Sequence, residues 1–202
     1  MKVFVVGFPK SGTTTLTEAF RRSGVRAAHY QTPDKQFCGA LLYKGFFECG
    51  DPWRYLQDYD AITQADVCRS GPRRNCWPQL DFAIVNAIER RYPECRFLLN
   101  TRDSSAFVRS VDGWGSLRRR FSSLDVPGLP RGWGKDDKDL ERWTQGHYAA
   151  CREYFRGKTN FFEFDIGDPQ APQKIGMFLG LEIKWWGVAN QKSFKPGVLP
   201  SL

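Results

Sequence analysis

The feature that most constrains the fold of this chain stands at its start, M-K-V-F-V-V-G-F-P-K-S-G-T-T-T-L. Residues 2–6 are a short, β-branched apolar run that reads as a buried strand. A glycine turn follows, and residues 11–23 then read as a helix stopped by Gly24. Strand, glycine turn and helix in that order make a phosphate-binding loop. Backbone N–H groups after Gly7 and the positive end of the helix favour an anion. Gly7 and Gly12 have the spacing of G-x-x-x-x-G-K-S/T, yet Thr13 stands where the lysine belongs, and the lysine is Lys10, inside the loop. In nucleoside triphosphate enzymes the lysine after the second glycine reaches the β and γ phosphates. Its displacement speaks against ordinary ATP or GTP hydrolysis.

Downstream, strand-like and helix-like stretches alternate, which implies a parallel α/β sheet. Strands are expected at 25–30, 59–63, 96–99 and 160–164, and helices at 80–91, 104–111 and 139–155. Two segments stand apart. Residues 35–58 are aromatic and contain glycines, without clear periodicity. Residues 116–137 carry Arg118-Arg119-Arg120, several glycines and two prolines, and read as a long mobile loop. With 202 residues and no internal repeat, the expectation is a single domain over 1–202.

No stretch approaches the roughly 20 apolar residues of a membrane span. The first apolar run, 3–6, leads straight into the glycine loop and reads as a strand, not as a leader. These features imply a cytoplasmic protein without a membrane partner. The six cysteines form no C-x-x-C pair, which argues against a zinc site. They are free thiols in a cytoplasmic protein, or disulfides if the chain is secreted. A net charge of +8 suits an anionic ligand or a polyanion without choosing between them.

The segment F-P-K-S-G-T-T-T-L resembles the donor-binding loop of sulfotransferases, P-K-[ST]-G-T-T. A second motif agrees with it. That family marks its 3′-phosphate site with an arginine at a strand end and a serine eight positions later, and here R-F-L-L-N-T-R-D-S-S-A-F-V-R-S supplies Arg102 and Ser110. The resemblance covers roughly the first 110 residues. It implies a P-loop α/β fold, with a central parallel sheet of about five strands flanked by helices, in the order second, third, first, fourth, fifth. It implies 3′-phosphoadenosine 5′-phosphosulfate as donor. Lys10 would contact the 5′-phosphate and bridging oxygen, Pro9, Ser11, Gly12, Thr13, Thr14 and Thr15 would cradle the 5′-phosphate, and Arg102 with Ser110 would hold the 3′-phosphate. An arginine fork at the carboxyl end of a strand points into the ligand crevice of such sheets and suits a terminal phosphate. Sulfuryl transfer requires no metal here, because the transferred group carries less charge than a γ-phosphoryl.

The family's C-terminal R-K-G-x-x-G segment is missing. Asn190, Lys192 and Lys195 are candidates to cap the nucleotide in its place, or form a solvated basic tail. The catalytic base is open among His29, Glu48 and Asp66. His29 ends the expected second strand and Asp66 follows the third, both on the ligand edge, and Glu48 sits in Y-K-G-F-F-E, loosely like a base-bearing segment of heparan-type members. His147 shares a helix face with Leu140, Trp143, Cys151 and Tyr154 and reads as core. The acceptor itself is not identified by the sequence; a small molecule or carbohydrate offering a hydroxyl or amine is expected, and no nucleic acid. Two other readings remain: a small kinase using ATP, and a non-catalytic protein that binds a nucleotide or RNA.

Overall fold

The computed structural model describes residues 1–189, and Lys192, with Asn190 and Lys195, lies outside them. Five parallel strands form the central sheet: β1 (Val3–Val5), β2 (Ala27–Ala28), β3 (Ala61–Ile62), β6 (Arg96–Thr101) and β7 (Phe161–Asp165). Their order is β2-β3-β1-β6-β7, which is the order that the resemblance implies. The register pairs Val3 with Ala61 on one side and with Arg96 on the other. Strands β4 (Val67–Cys68) and β5 (Asn75–Cys76) form a separate antiparallel hairpin that the sequence did not announce.

Among the described residues seven α-helices connect and flank these strands: α1 (Thr13–Arg22), α2 (Cys38–Cys49), α3 (Phe82–Arg91), α4 (Ser104–Asp112), α5 (Leu117–Ser123), α6 (Asp137–Tyr154) and α7 (Ala171–Leu179). Both faces of the sheet are covered, so successive strand residues alternate between two cores. Phe4, Ile62, Phe97 and Leu99 enter one, with Trp53, Phe107 and Trp143. Val3, Val5, Ala61, Leu98 and Phe164 enter the other, with Leu16, Phe20 and Ile175. Each such side chain, fully buried, contributes about 1.5–3 kcal/mol. Central strands carrying apolar residues on both sides explain why the runs read as continuous hydrophobic stretches.

Two expectations are corrected. The aromatic segment 35–58 contains α2, whose buried side is Cys38, Gly39, Leu41, Leu42 and Gly45. Small residues at a close-packed face weaken the apolar periodicity that would have revealed the helix. Segment 116–137 is not one irregular loop. It contains α5 and a tight turn in which Val126 pairs with Leu129, and Leu117, Phe121, Val126 and Leu129 are all buried. Trp143 Nε1 donates to the Pro127 carbonyl at 2.8 Å and fixes that turn on α6. All six cysteines are free. No helix among the described residues is long and apolar enough to cross a membrane.

Candidate active site

The site forms at the carboxyl ends of β1, β3 and β6, where ligands bind in open α/β sheets. The loop after β1 turns through two left-handed residues, Lys10 at φ 68° and Gly12 at φ 81°. Gly12 carries that conformation without penalty, whereas for Lys10 it costs on the order of 1 kcal/mol. Such local strain is held by its surroundings. Here Arg102 Nη1 donates to the Lys10 carbonyl at 2.8 Å, and Asn100 Nδ2 donates to the Ser11 carbonyl at 2.7 Å. A side chain at Gly7 would run into Asn100, with a Cβ only 1.9 Å from its Oδ1. The two sequence motifs therefore interlock: residues at the end of β6 brace the loop after β1.

Helix α1 begins at Gly12 with no side-chain cap and no acidic residue in its first turn. Its positive end opens on a cavity of about 470 Å³ whose wall includes Pro9, Lys10, Gly12, Thr13, Thr14 and Thr15. Arg102 and Ser110 stand on the same wall, as do His29 and Asp66. Ser110 comes two turns into α4, and Asp103 caps that helix by accepting from Ala106 N at 2.8 Å. Asp103 is thus occupied, and Arg102 forms no ion pair among the described residues. Four cations, Lys10, Arg69, Arg102 and Arg120, face the cavity against one carboxyl group, Asp66.

Ser11 and Glu48 are not among the residues brought to this wall. Ser11 is wholly buried and serves the loop through its carbonyl. Glu48 lies exposed near the end of α2, away from the cavity wall, and accepts a hydrogen bond from the Tyr55 hydroxyl at 2.5 Å. His147 is core as expected. It is buried against Phe8, with Nε2 bonded to the Val6 carbonyl at 2.6 Å, and burial lowers its pKa to about 4.

The two remaining base candidates belong to one hydrogen-bonded chain. Thr13 Oγ1 donates to Gln64 Oε1 at 2.7 Å, so His29 Nε2, 3.3 Å from the same hydroxyl, is the donor to it. Gln64 Nε2 donates to Asp66 Oδ2 at 3.2 Å, and Gln79 Nε2 donates to Asp66 Oδ1 at 3.3 Å. The donors all run toward the carboxyl group, an arrangement in which each bond polarises the next. Burial, with a smaller effect from the Arg21 charge, lowers the His29 pKa to about 4. Burial raises that of Asp66 to about 7, against the smaller opposing effects of its hydrogen bonds and of Arg120. Gln64 had no signal in the sequence, because its role depends on β3 lying beside α1.

Trp114 is another residue that sequence reasoning missed. Lys10 Nζ lies 4.0 Å from its ring centroid, over the indole face. Arg120 links the walls: Nη1 donates to the Cys68 carbonyl at 2.9 Å, joining α5 to the β4–β5 hairpin. At the other edge Thr15 Oγ1 donates to the Gly187 carbonyl at 2.8 Å, which brings Val188 to the cavity.

A family model for the sulfotransferase domain matches residues 2–126. The chain belongs to the sulfotransferase domain family. The matched span carries both motifs of this sulfotransferase domain, from the β1 loop through Arg102 and Ser110, and ends beyond α5. Among solved structures the domain is similar to mouse sulfotransferase SULT7A1 complexed with PAP, at 13% identity and a TM-score of 0.49. That match covers 90% of this chain and 58% of the mouse protein. This chain therefore spans little more than half the length of that relative. No curated protein matches. Among the described residues no group of three or more His, Cys, Asp or Glu could hold a metal ion.

Proposed function

We propose that this protein transfers a sulfuryl group from 3′-phosphoadenosine 5′-phosphosulfate to a hydroxyl or amine of a small-molecule or carbohydrate acceptor, with Asp66 as the base. One observation carries the reading. Lys10 and the threonine-rich helix start, the Arg102–Ser110 pair, and a carboxyl group with a pKa near 7 share one cavity. The donor set suits the co-substrate. Cations and hydroxyls meet its phosphates, and two separate anion sites fit a nucleotide phosphorylated at both the 3′ and 5′ positions.

In the reaction the acceptor oxygen or nitrogen attacks sulfur as the bond from sulfur to the 5′-phosphate oxygen breaks. The acceptor proton passes to an Asp66 oxygen, and adenosine 3′,5′-bisphosphate leaves. A general base works best when its pKa lies near the working pH. Asp66 meets that condition, whereas neutral His29 with a pKa near 4 is too weak a base and already donates to Thr13. His29 and Gln64 instead hold Thr13 and Asp66 in register, tying the donor loop to the base. Lys10 stabilises charge growing on the departing phosphate oxygen. Catalysis is then chiefly positioning and fixed charge.

A thermal-shift comparison of adenosine 3′,5′-bisphosphate, ATP with magnesium, and RNA separates this reading from kinase and RNA-binding readings. The bisphosphate should stabilise the protein most. A larger shift with ATP and magnesium, or with RNA alone, would overturn the proposal.

A further inference from the structure

Beside the donor cavity lies a second one of about 700 Å³, lined by Arg69, Ser70 and Arg74 from the hairpin side and by Ser116, Arg119, Arg120, Ser123 and Leu124 around α5. Arg69 and Arg120 line both cavities, so the two adjoin. We infer that this outer cavity is the acceptor subsite and that it selects an acceptor carrying fixed negative charge, such as carboxylate, phosphate or sulfate groups near the reacting hydroxyl. The inference rests on the sulfotransferase reading above and adds the substrate class.

Three observations support it. First, the wall holds four arginines and no acidic residue. Six other arginines, Arg22, Arg26, Arg118, Arg131, Arg152 and Arg156, are each paired with a carboxylate. Arg69, Arg74, Arg119 and Arg120 have no such partner among the described residues. Arg118, in the same run, is bound to Asp112 and Asp137, so the two residues after it are left to face the cavity. Like charges gathered without a counter-ion repel, and an anionic ligand relieves that repulsion.

Second, the cavity is built and braced. Arg120 Nη1 is anchored on the Cys68 carbonyl, while its Nε is buried without a hydrogen-bond partner among the described residues. Asn75 Nδ2 donates to the Asp125 carbonyl at 2.7 Å, and Arg69 N donates to the Arg74 carbonyl at 2.7 Å, so the hairpin and the end of α5 are held together. Third, the residues shared by the two cavities lie close to Asp66 along the chain: Arg69 is three residues on, and Arg120 is bonded to the Cys68 carbonyl, two residues on. An acceptor anchored by its anions in the outer cavity therefore presents a neighbouring hydroxyl toward Asp66. Guanidinium forks pair with carboxylate, phosphate or sulfate in bidentate fashion, which fixes orientation as well as affinity.

The test uses the full chain saturated with adenosine 3′,5′-bisphosphate, so that the donor cavity is filled. Calorimetric titrations with myo-inositol hexakisphosphate, and with neutral myo-inositol as its matched control, are run on the native protein. They are repeated on Arg74→Ala/Arg119→Ala and on Arg90→Ala/Arg142→Ala, an equal charge change at exposed sites elsewhere. The hexakisphosphate should bind alongside the nucleotide, and myo-inositol should not. Its affinity should fall at least about tenfold in the first variant, the loss expected for removing charge-assisted contacts, and less than about twofold in the second. Nucleotide affinity should be equal in all three proteins. Equal losses in the two variants would reduce the cavity to general surface charge and overturn the inference. Displacement of the nucleotide by the hexakisphosphate would make the cavity part of the donor site and overturn it too. Failure of the nucleotide itself to bind would instead sink the donor reading, so the two failures are separable.

Discussion

Asp66→Asn tests the base without knowledge of the acceptor, because a buried carboxyl group affects stability as well as rate. Burial holds the Asp66 pKa near 7 instead of the ordinary 3.8. Below about pH 3.8 the group is protonated whether the protein is folded or not, and there is no difference to lose. Between 3.8 and 7 the unfolded chain gives up the proton while the folded one keeps it. Folding then becomes less favourable as pH rises, until the native carboxyl ionises too and the penalty levels off above 7. Linkage with these two values gives about 2–3 kcal/mol of native stability lost between pH 5 and pH 8. Asparagine has the same shape and no charge, so the variant escapes this loss. One hydrogen bond from Gln64 or Gln79 becomes mismatched in the variant, which adds an offset that does not change with pH. For a domain of this size each kcal/mol moves the melting temperature by roughly 2–4 °C. Melting curves of the two proteins from pH 5 to pH 8 should therefore show the variant gaining about 5–10 °C on the native protein. A difference that stays constant across that range would refute a buried, proton-holding Asp66. Where transfer can be followed, kcat/KM of the native enzyme should rise tenfold per pH unit below 7 and flatten above it. The variant should lose about 10²–10⁴ in rate along with that dependence.

Lys10→Ala should lower kcat by about 10²–10³ with little change in donor affinity, since its contact grows as the bridging oxygen takes up charge; near-normal turnover with weak donor binding would make Lys10 a binding residue only. Arg102→Ala should weaken adenosine 3′,5′-bisphosphate by at least about tenfold in calorimetry and leave adenosine 5′-phosphate much less affected. Equal losses for both would mean that Arg102 acts by bracing the Lys10 carbonyl and not by reading the 3′-phosphate. Trp114 stacks under the Lys10 ammonium, so drawing Lys10 to a phosphate should change tryptophan emission on titration with the bisphosphate. Trp114→Phe should abolish most of that change, and an undiminished signal would place its source at another tryptophan.

What could be read from the sequence was local. The strand, the glycine turn and the helix start are contiguous, and their residue types alone dictate a loop with an anion site. Arg102 and Ser110 were legible through the resemblance to the sulfotransferase motif, and the fold brings both to the cavity wall. Asp66 could be nominated from its place after β3, but nothing in the chain distinguished it from Glu48, which folds onto the outer side of α2. Burial distinguishes them, and burial depends on distant partners. The same holds for Gln64, Trp114 and Arg120, which matter only once β3, α4 and α5 are assembled around the loop. Helix α2 hid behind Gly39 and Gly45, small because the helix packs closely there. Helix α5 hid behind its arginine run, whose members turn to three different environments. Ser11 fits a phosphate cradle by residue type, and only the fold shows that it is wholly buried.

A crystal structure of the protein with adenosine 3′,5′-bisphosphate tests the central claim most directly. The 5′-phosphate should lie in the loop formed by residues 9–15 at the start of α1, and the 3′-phosphate should lie between the Arg102 guanidinium and the Ser110 hydroxyl. The 5′-phosphate should also face Asp66 across the space left for a sulfuryl group. A nucleotide bound with its 3′-phosphate away from Arg102 and Ser110, or bound outside this cavity, would contradict the account.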